Sequence, residues 1–299
     1  MFSNLRRILF LTLCLFLCLS LCFFTSCSGE FFNLLDYDTI PTMNSTQSAD
    51  VKVHYIDVGQ GNAVLIESAG EYMLIDAGTT ESSNKLAEYL KNVGVNTITY
   101  LIATHPHEDH IGGMKKILTD FSIQNIIMPR KEATTKTFEN FIDLIIEKDI
   151  PVQEPKVKNS YKIGLADFSI LGPMSSDYKD LNDYSVIVKL VYGEISFLFT
   201  GDATTVSETE LLESGQDLSA DVFLVGHHGS SSSTKAEFLK KVNPSYAVIS
   251  VGKDNSYGHP TQKVLDRLTP LNIQLYRTDI SGSIVASTDG TGINFETER

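Results

Sequence analysis

The sequence predicts an α/β protein whose β-sheets are covered by helices, in a single domain. Three observations support this fold class. The first half of the body is rich in β-type runs, with a hairpin expected around Tyr192-Gly193. Strand and helix patterns then alternate, and no Pro- or Gly-rich linker divides the body. The 299 residues, 42% of them hydrophobic, are enough to bury a sizeable core.

The first 26 residues differ from the rest and predict a secretory signal. Arg6 and Arg7 precede an apolar run over 8–24, and small residues then lead to Cys27. This arrangement is similar to the lipobox of bacterial lipoproteins, so we expect residues 1–26 to be removed and Cys27 to carry a lipid anchor. A transmembrane anchor and plain secretion are the alternatives. Each of the three places the body of the protein outside the cytoplasm.

Charge and cysteine content limit the function. The net charge of −13 argues against broad electrostatic capture of nucleic acid or of an anionic membrane. It remains compatible with a polyanionic substrate held by bound metal cations. All four cysteines lie at or before residue 27, so a metal site in the folded domain uses no thiolate. Residues 27–50 are interpreted as a polar tether and 51–299 as the folded domain.

The body begins with β-type patterns, and its elements follow in an order that places a histidine-rich loop after a buried strand. In order, the predicted elements are two strands around a Gly-rich turn in 51–67, a strand at 72–78, a helix at 82–94, a strand at 98–105 and a helix at 112–121.

Three of the seven histidines lie within six residues of the stretch "THPHEDHIGG". His105 and His107 are two residues apart, so in an extended loop their side chains point the same way and can hold one cation. Asp109 and His110 follow as the chain turns toward the next helix, and they can reach a second cation. Imidazole and carboxylate ligands suit Zn²⁺, Mn²⁺ or Fe²⁺. The loop therefore predicts a metal site.

Two later strands also end in residues of ligand type. Asp202 follows the run "FLFTG", and a carboxylate in that position can bridge two cations. His227 and His228 follow "DVFLVG", and a loop after another strand carries His259. Strand ends gather at one rim of a sheet, so these residues are expected to meet there. The remaining histidine, His54, lies within a strand and is interpreted as a packing residue.

The order H-x-H-x-D-H, strand-terminal Asp, strand-terminal His resembles the metallo-β-lactamase superfamily. More narrowly, the chain from about residue 51 onward resembles the hydrolase domain of the DNA-uptake protein ComEC and its free-standing relatives. The phosphorylcholine esterase that trims teichoic acids is a more distant likeness. The resemblance implies an αβ/βα sandwich of two mixed β-sheets flanked by helices, with the site at one edge of both sheets. The motifs that carry it are "IDVGQGNAVLIE", "LIDAG", "THPHEDHIGG", "NDYSVIVKL", "FLFTGDA", "HHGSSSS" and "YGHP".

The resemblance also implies ligand roles. His105 and His107 match the ligands of a first metal, Asp109 and His110 match those of a second, and Asp202 matches the bridging carboxylate.

The adjacent histidines and two acids have further implied roles. His228 is the preferred ligand of the second metal because the superfamily ligand directly precedes a glycine, and His227 then faces the substrate; the reverse order stays open. Asp57 and Asp76 match residues that brace the metal loop.

The chain departs from the family pattern at two places. The usual third histidine of the first metal is missing, and the stretch "NDYS" makes Asn182 or Asp183 the expected substitute. Asn62 stands where relatives often carry Asp, which makes a ligand role at this position doubtful.

Two divalent ions, Zn²⁺ or alternatively Mn²⁺, would make the protein a metallo-hydrolase. A water bridging two ions becomes hydroxide near neutral pH and can attack a phosphodiester in line. Ser230 begins a serine run that adds hydroxyls, and the predicted helix start behind it, with Thr234 and Glu237 as a capping box, favours phosphate. His259 is expected to protonate the leaving oxygen or to contact phosphate.

The ComEC resemblance makes extracellular DNA the expected substrate of this phosphodiesterase, and no obligate protein partner is evident. A cell-wall phosphodiesterase acting on teichoic-acid-type polymers is the alternative. A binding protein that keeps the metal fold without catalysis is a third reading, which the intact ligand set disfavours. β-Lactam hydrolysis is disfavoured because the third histidine is absent.

Overall fold

The computed structural model describes residues 49–299, whose strands assemble into two sheets. The predicted signal, nearly all of the predicted tether and Cys27 lie outside the described residues. Within the described part of the chain, no helix is long and apolar enough to cross a membrane. The strands are β1 (Val51–Tyr55), β2 (Val64–Ser68), β3 (Glu71–Ile75), β4 (Thr97–Ile102), β5 (Ser122–Ile127), β6 (Val152–Gln153), β7 (Ser160–Ile163), β8 (Ala166–Gly172), β9 (Ile187–Tyr192), β10 (Ile195–Phe199), β11 (Val222–Leu224), β12 (Tyr246–Ile249), β13 (Gln274–Arg277), β14 (Ile284–Thr288) and β15 (Ile293–Thr297).

Both sheets are mixed, as the resemblance implies. The first sheet has the order β15-β14-β1-β2-β3-β4-β5-β6, and the pairs from β3 to β6 are parallel. The second has the order β13-β12-β11-β10-β9-β8-β7, and the pairs from β10 to β13 are parallel. The hairpin expected around Tyr192-Gly193 joins β9 to β10.

Helices lie outside the two sheets. Four α-helices supply buried apolar residues to the outer face of the first sheet, and three supply them to the outer face of the second. The α-helices are α1 (Ser83–Val93), α2 (Glu108–Ile111), α3 (Met114–Asp120), α4 (Lys136–Glu147), α5 (Thr205–Glu213), α6 (Ala236–Val242), α7 (Gln262–Leu268) and α8 (Thr278–Ser281). Short 3-10 turns lie at Leu181–Tyr184, Gly226–Gly229 and Thr269–Leu271.

The central strands are apolar on both sides because both faces of each sheet are covered. In β10, Phe197 and Phe199 point into the core between the sheets, while Leu198 points to the outer helices. In β4, Ile102 faces the inner core and Leu101 the outer one. Successive side chains of a strand point to opposite faces of the sheet, so a strand that is buried on both faces is expected to be apolar at every position. The result is the four-layer αβ/βα sandwich, which confirms the predicted fold class.

The early elements agree with the predictions, except that two strands are shorter than expected. The helix predicted at 82–94 is α1, which ends at Gly94 in a left-handed conformation. β3 ends at Ile75 and β4 at Ile102, since the residues after each strand leave the ladder and turn toward the site. The helix predicted at 112–121 begins at Met114 and follows the single turn α2.

Two glycines allow backbone segments to meet at the histidine loop. A Cβ on Gly113 would lie 2.2 Å from the carbonyl oxygen of Ala77. A Cβ on Gly61, which has a φ of +141°, would lie 2.5 Å from the carbonyl oxygen of Asp109. No side chain fits at either distance, so the "GQG" and "IGG" motifs seat the metal loop against the end of β3.

The predicted capping box at Thr234 is wrong. Helix α6 begins at Ala236, its N-cap is Lys235, and no side chain caps it. Thr234 has a φ of 56°, and its backbone N–H, like that of Lys235, donates to the buried carboxylate of Glu208. An internal carboxylate therefore satisfies the N–H groups that the sequence analysis offered to a phosphate.

Candidate metal centre

The ends of three strands bring the predicted ligands together at one edge of both sheets. β4 of the first sheet leads into the histidine loop. β10 and β11 of the second sheet are parallel neighbours, and they lead to Asp202 and to the His227-His228 pair. Because neighbouring parallel strands deliver their carboxyl ends to the same edge, residues nearly 100 positions from the loop reach it.

Four side chains form a tight cluster that is suited to one metal ion. Asp109, His110, Asp202 and His228 each offer a ligand atom, and these atoms all lie within 4.8 Å of one another. The His110 Nε2 lies 3.2 Å from Asp202 Oδ1, and the His228 Nε2 lies 3.2 Å from Asp109 Oδ2. This is the set predicted for the second metal, with His228 rather than His227 in the cluster.

The hydrogen bonds of the two imidazoles leave the atoms that face the centre free for a metal. His228 Nδ1 lies 2.8 Å from the Ser250 carbonyl oxygen, which can only accept, so Nδ1 carries the proton. His110 Nδ1 lies 2.7 Å from an Asp76 carboxylate oxygen in the same way. Both Nε2 atoms and Asp202 Oδ1 are buried without a hydrogen-bond partner. Buried lone pairs without partners are costly, and a bound cation would satisfy them.

Asp76 contacts both halves of the site. Its Oδ1 accepts the backbone N–H of Thr104, and its Oδ2 accepts the Thr104 hydroxyl at 2.8 Å and His110 Nδ1. The Thr104 hydroxyl also lies 3.1 Å from His105 Nδ1. One buried carboxylate at the end of β3 therefore orients His110 directly and His105 through the threonine.

A second group of donors lies on the other side of Asp202. His105 Nε2 and His107 Nδ1 are 3.1 Å apart. Asp202 Oδ2 lies 4.0 Å from His105 Nε2, while Asp202 Oδ1 faces His110 and, at 3.6 Å, His228. The two oxygens of Asp202 are thus divided between two groups of imidazoles, which is the arrangement of a bridging carboxylate.

Burial and mutual charge set the protonation of the site. Burial acts to raise the pKa of Asp202, but the His110 and His228 imidazoles outweigh it and hold that pKa well below its usual range. Burial acts to lower the pKa of His110, but Asp202 and Asp76 raise it well above its usual range. Burial, followed by His110, lowers the pKa of His105. The Asp202 carboxylate is therefore ionised and can bind a cation.

Asp183, the expected substitute ligand of the first metal, has another role in the structure. Its Oδ1 accepts hydrogen bonds from the Thr204 backbone N–H, the Thr204 hydroxyl at 2.7 Å and the Ser207 hydroxyl at 2.8 Å. These contacts tie the turn Leu181–Tyr184 to the start of α5, so this oxygen is engaged in structure. Asn182, the other candidate, is buried, and its side-chain oxygen has no hydrogen-bond partner.

Asp57 and Asn62 also lie near the site without facing it as ligands. Asp57 accepts the backbone N–H of Gly59 at 3.1 Å and forms ion pairs with Lys85 and Arg299. It therefore stabilises the Gly-rich turn, which packs against the metal loop. The Asn62 amide donates to Asp76 at 3.2 Å.

The remaining predicted residues line the open side of the centre. His227 Nε2 lies 3.5 Å from Asp202 Oδ2, and His227 Nδ1 lies 3.0 Å from the Ser232 hydroxyl. That hydroxyl is 2.9 Å from the hydroxyl of Ser230. The ring of His259 is centred 5.8 Å from that of His227. Asp109 and His227 are partly exposed, whereas His110, Asp202 and His228 are buried, so a substrate would approach from this side.

Two supporting residues escaped the sequence analysis. The Ser185 hydroxyl accepts the Asp202 backbone N–H at 3.1 Å and lies 3.4 Å from His105 Nδ1. Glu208 holds the backbone that follows His228, and burial raises its pKa to about 7. "NDYS" marked the region of Ser185, but a glutamate within a helix gave no signal of its role.

The sandwich fold and the cluster of metal-ligand side chains indicate a metal-binding hydrolase. Comparison with known protein families leads to the same class. Residues 56–253 match the family model of the metallo-β-lactamase superfamily, so the chain belongs to this superfamily.

Competence proteins are among its homologues. The chain is 31% identical to ComE operon protein 3 of Bacillus subtilis over 255 residues, which cover 79% of this chain and 33% of that protein. It is 30% identical to the competence protein ComA of Neisseria gonorrhoeae over 238 residues, covering 76% of this chain and 31% of that protein. The chain thus spans about a third of the length of these curated relatives.

Solved structures share the fold at low sequence identity. The metallo-β-lactamase fold protein YhfI from Bacillus subtilis matches with a TM-score of 0.53 and 12% identity, covering 76% of this chain and 96% of that one. CmlA, a diiron β-hydroxylase from Streptomyces venezuelae, matches with a TM-score of 0.51 and 15% identity, covering 77% of this chain and 53% of that one. Likeness at this level shows the fold alone.

Proposed function

We propose that the protein is a metal-dependent phosphodiesterase that acts on extracellular DNA with two divalent cations, preferably Zn²⁺. One observation carries the proposal: the oxygens of Asp202 are divided between His110 with His228 on one side and His105 on the other. A buried carboxylate shared in this way suits two ions a few ångströms apart.

The donor set fits such ions. Imidazole nitrogens and carboxylate oxygens are the ligands of Zn²⁺ and Mn²⁺ in hydrolases. When bound, two divalent cations would activate water and neutralise the charge that develops on a phosphoryl group. The protein's own part is to orient the imidazoles through Asp76 and the Ser250 carbonyl, and to keep the side of the centre with the partly exposed Asp109 and His227 open to solvent.

The homologues favour DNA over other phosphodiester polymers. ComA is a competence protein by name, and the similarity to it and to ComE operon protein 3 includes the part of this chain that holds the site. The described surface offers His259, with the exposed Tyr257 stacked against it at an interplanar angle of 22°, beside the open side of the centre. A polymer with bases and phosphates would find both an aromatic face and imidazole donors there.

The test is hydrolysis by the purified domain with defined metal content. We expect Zn²⁺- or Mn²⁺-loaded protein to hydrolyse bis-p-nitrophenyl phosphate, and Asp202→Asn to lower the rate at least about 100-fold because the shared oxygens lose their charge. Asp143→Asn, the same change at an exposed position on α4, serves as the matched control.

The outcomes separate the candidate functions. Absence of hydrolysis by fully metal-loaded protein, or a fully active Asp202→Asn variant, would contradict the enzyme proposal and favour the binding protein. Single-stranded DNA, duplex DNA and teichoic acid are then compared as substrates. Faster cleavage of teichoic acid than of either DNA would favour the cell-wall alternative.

We also propose that the chain is attached to the outer face of the cell membrane through a lipid on Cys27. The basic start, the apolar run and the small residues before that cysteine support this location. An extracellular position would place the site where DNA from outside the cell is encountered.

A further inference from the structure

The first metal group is incomplete if the site is dinuclear, as the proposed function requires. His105 and His107 supply two imidazoles, and Asp202 supplies the shared oxygen. The family's third histidine is absent from this sequence, and the Oδ1 of Asp183 is engaged by Thr204 and Ser207. A third donor for this group must therefore come from Asn182, whose buried side-chain oxygen has no hydrogen-bond partner, or from another residue on the Oδ2 side of Asp202.

His227 is placed on that side. Its Nε2 lies 3.5 Å from Asp202 Oδ2, the oxygen that also lies 4.0 Å from His105 Nε2. Ligand atoms bound at about 2.1 Å to a tetrahedral Zn²⁺ are separated by roughly 3.4 Å. Asp202 Oδ2 lies 3.5 Å from His227 Nε2, which matches this separation, and 4.0 Å from His105 Nε2, which exceeds it. His105 Nε2 in turn lies 3.1 Å from His107 Nδ1.

The backbone conformation of His227 and His228 directs their two imidazole rings toward different oxygens of Asp202. His227 and His228 have φ values of 51° and 53°, so two consecutive non-glycine residues are left-handed. A left-handed backbone is unfavourable for a residue with a Cβ, and backbone strain of this kind is concentrated at functional sites. The result is that His228 Nε2 faces Asp202 Oδ1 while His227 Nε2 faces Oδ2.

The outer nitrogen of His227 is also supported. Its Nδ1 lies 3.0 Å from the Ser232 hydroxyl, which is held by Ser230 and can accept the ring proton. A ligand histidine typically donates its second nitrogen to such a partner, which fixes the ring and leaves the other nitrogen free. The equivalent partner of His228 is the Ser250 carbonyl.

We propose that His227 is the third imidazole ligand of the first metal and takes the place of the missing histidine. The family resemblance predicts that His227 faces the substrate. Because the rings of His227 and His228 face different oxygens of Asp202, we assign His227 to the metal instead. The serine run after it then acts in part to hold this ligand.

The test measures metal binding rather than turnover. Metal-free protein is titrated with Zn²⁺ in competition with a chromophoric chelator, and the Mn²⁺-loaded protein is examined by electron paramagnetic resonance for coupling between two ions. Wild type is expected to bind two ions. His227→Ala is expected to keep one tight ion, to bind the other more than about 100-fold more weakly, and to lose the coupled signal.

Two further variants control the result. His227→Gly tolerates the left-handed backbone and must give the same loss, which excludes strain or misfolding as its cause. His259→Ala removes the imidazole next to His227, which is not among the proposed ligands of either metal. This variant is expected to bind two ions with unchanged affinity. If both His227 variants bind two ions as tightly as wild type, the proposal is overturned.

This result is independent of the proposed activity. A wild-type protein that binds two ions but hydrolyses no phosphodiester would contradict the function and leave the ligand assignment standing. If the wild type is active and its His227 variants still bind two ions tightly, the ligand assignment is contradicted and the proposed function stands.

Discussion

At the scale of single residues, the buried histidines of this chain belong to two kinds. His110 and His228 converge with Asp109 and Asp202 in the ligand cluster. His54 lies in β1, its Nδ1 is 3.0 Å from the Tyr89 hydroxyl, and burial lowers its pKa to about 4 although Glu67 acts to raise it. The sequence gives all three the same letter, and the prediction that His54 is a packing residue agrees with its contacts.

The lowered pKa of His54 leads us to expect that the domain becomes less stable as the pH falls. Because its pKa is lowered in the folded state, the unfolded chain binds more protons as the pH falls from 6.5 to about 4, and the free energy of unfolding decreases across that range. Between pH 7 and pH 5 the contribution is about 2 kcal/mol. His54→Gln should reduce the pH dependence by this amount in urea unfolding of the metal-free protein.

Tyr89→Phe is the control for this prediction, because it removes the hydrogen bond and leaves the histidine to titrate. Its stability should be lower than that of wild type with nearly the same dependence on pH. A His54→Gln variant with the pH dependence of wild type would show that the buried imidazole does not contribute.

At the scale of elements, helix α5 links the two ligand loops of the second sheet. It begins directly after Asp202, where Asp183 and Thr204 hold its first turn. One turn later, Glu208 accepts the backbone N–H groups of Thr234 and Lys235 in the loop that follows His228. The spacing of the two ligands therefore depends on a helix that carries neither of them.

Glu208→Ala should destabilise the domain, because it leaves two backbone N–H groups in the interior without an acceptor. We expect a loss of about 1–3 kcal/mol in the free energy of unfolding, measured with urea, together with weaker metal binding. Glu237→Ala is the matched control in the same segment: its side chain is exposed, so a change within about 0.5 kcal/mol is expected. If the capping box predicted from sequence were present, Glu237→Ala would destabilise the domain more than Glu208→Ala.

At the scale of the whole molecule, the site exists only where the two sheets meet. The histidine loop belongs to the first sheet, while Asp202 and His228 belong to the second. Docking of the two sheets through the apolar core between them therefore also assembles the metal centre.

The proposed anchor is tested on the full chain in a bacterium that processes lipoproteins. Wild type should incorporate labelled palmitate and sediment with membranes, because acyl chains on Cys27 hold the domain there. Cys27→Ser should lose the label, whereas Cys22→Ser, a change of another leader cysteine, should keep it. A Cys27→Ser protein that stays in the membrane while wild type is unlabelled would favour the transmembrane alternative, and a soluble wild type would favour plain secretion.

Much of the fold and half of the site could be predicted because their signals are local. Helix α1 follows from apolar spacing and a terminal glycine, and the buried strands follow from uninterrupted apolar runs. The capping box failed because a distant carboxylate, Glu208, competed for the same N–H groups. The contact of Asp183 Oδ1 with the start of helix α5 was likewise invisible in the sequence, because Thr204 and Ser207 lie more than 20 residues away.

The sequence by itself determined the fold class, the order of the elements and the crowded ligands of the loop from His105 to His110. Those properties depend on neighbours along the chain, whose periodicity and chemistry can be read directly. Only the tertiary structure decided which imidazole of the His227-His228 pair joins Asp109 and which faces the other oxygen of Asp202. That choice depends on a left-handed backbone and on hydrogen bonds from residues far away in sequence, and both arise only when the two sheets are packed together.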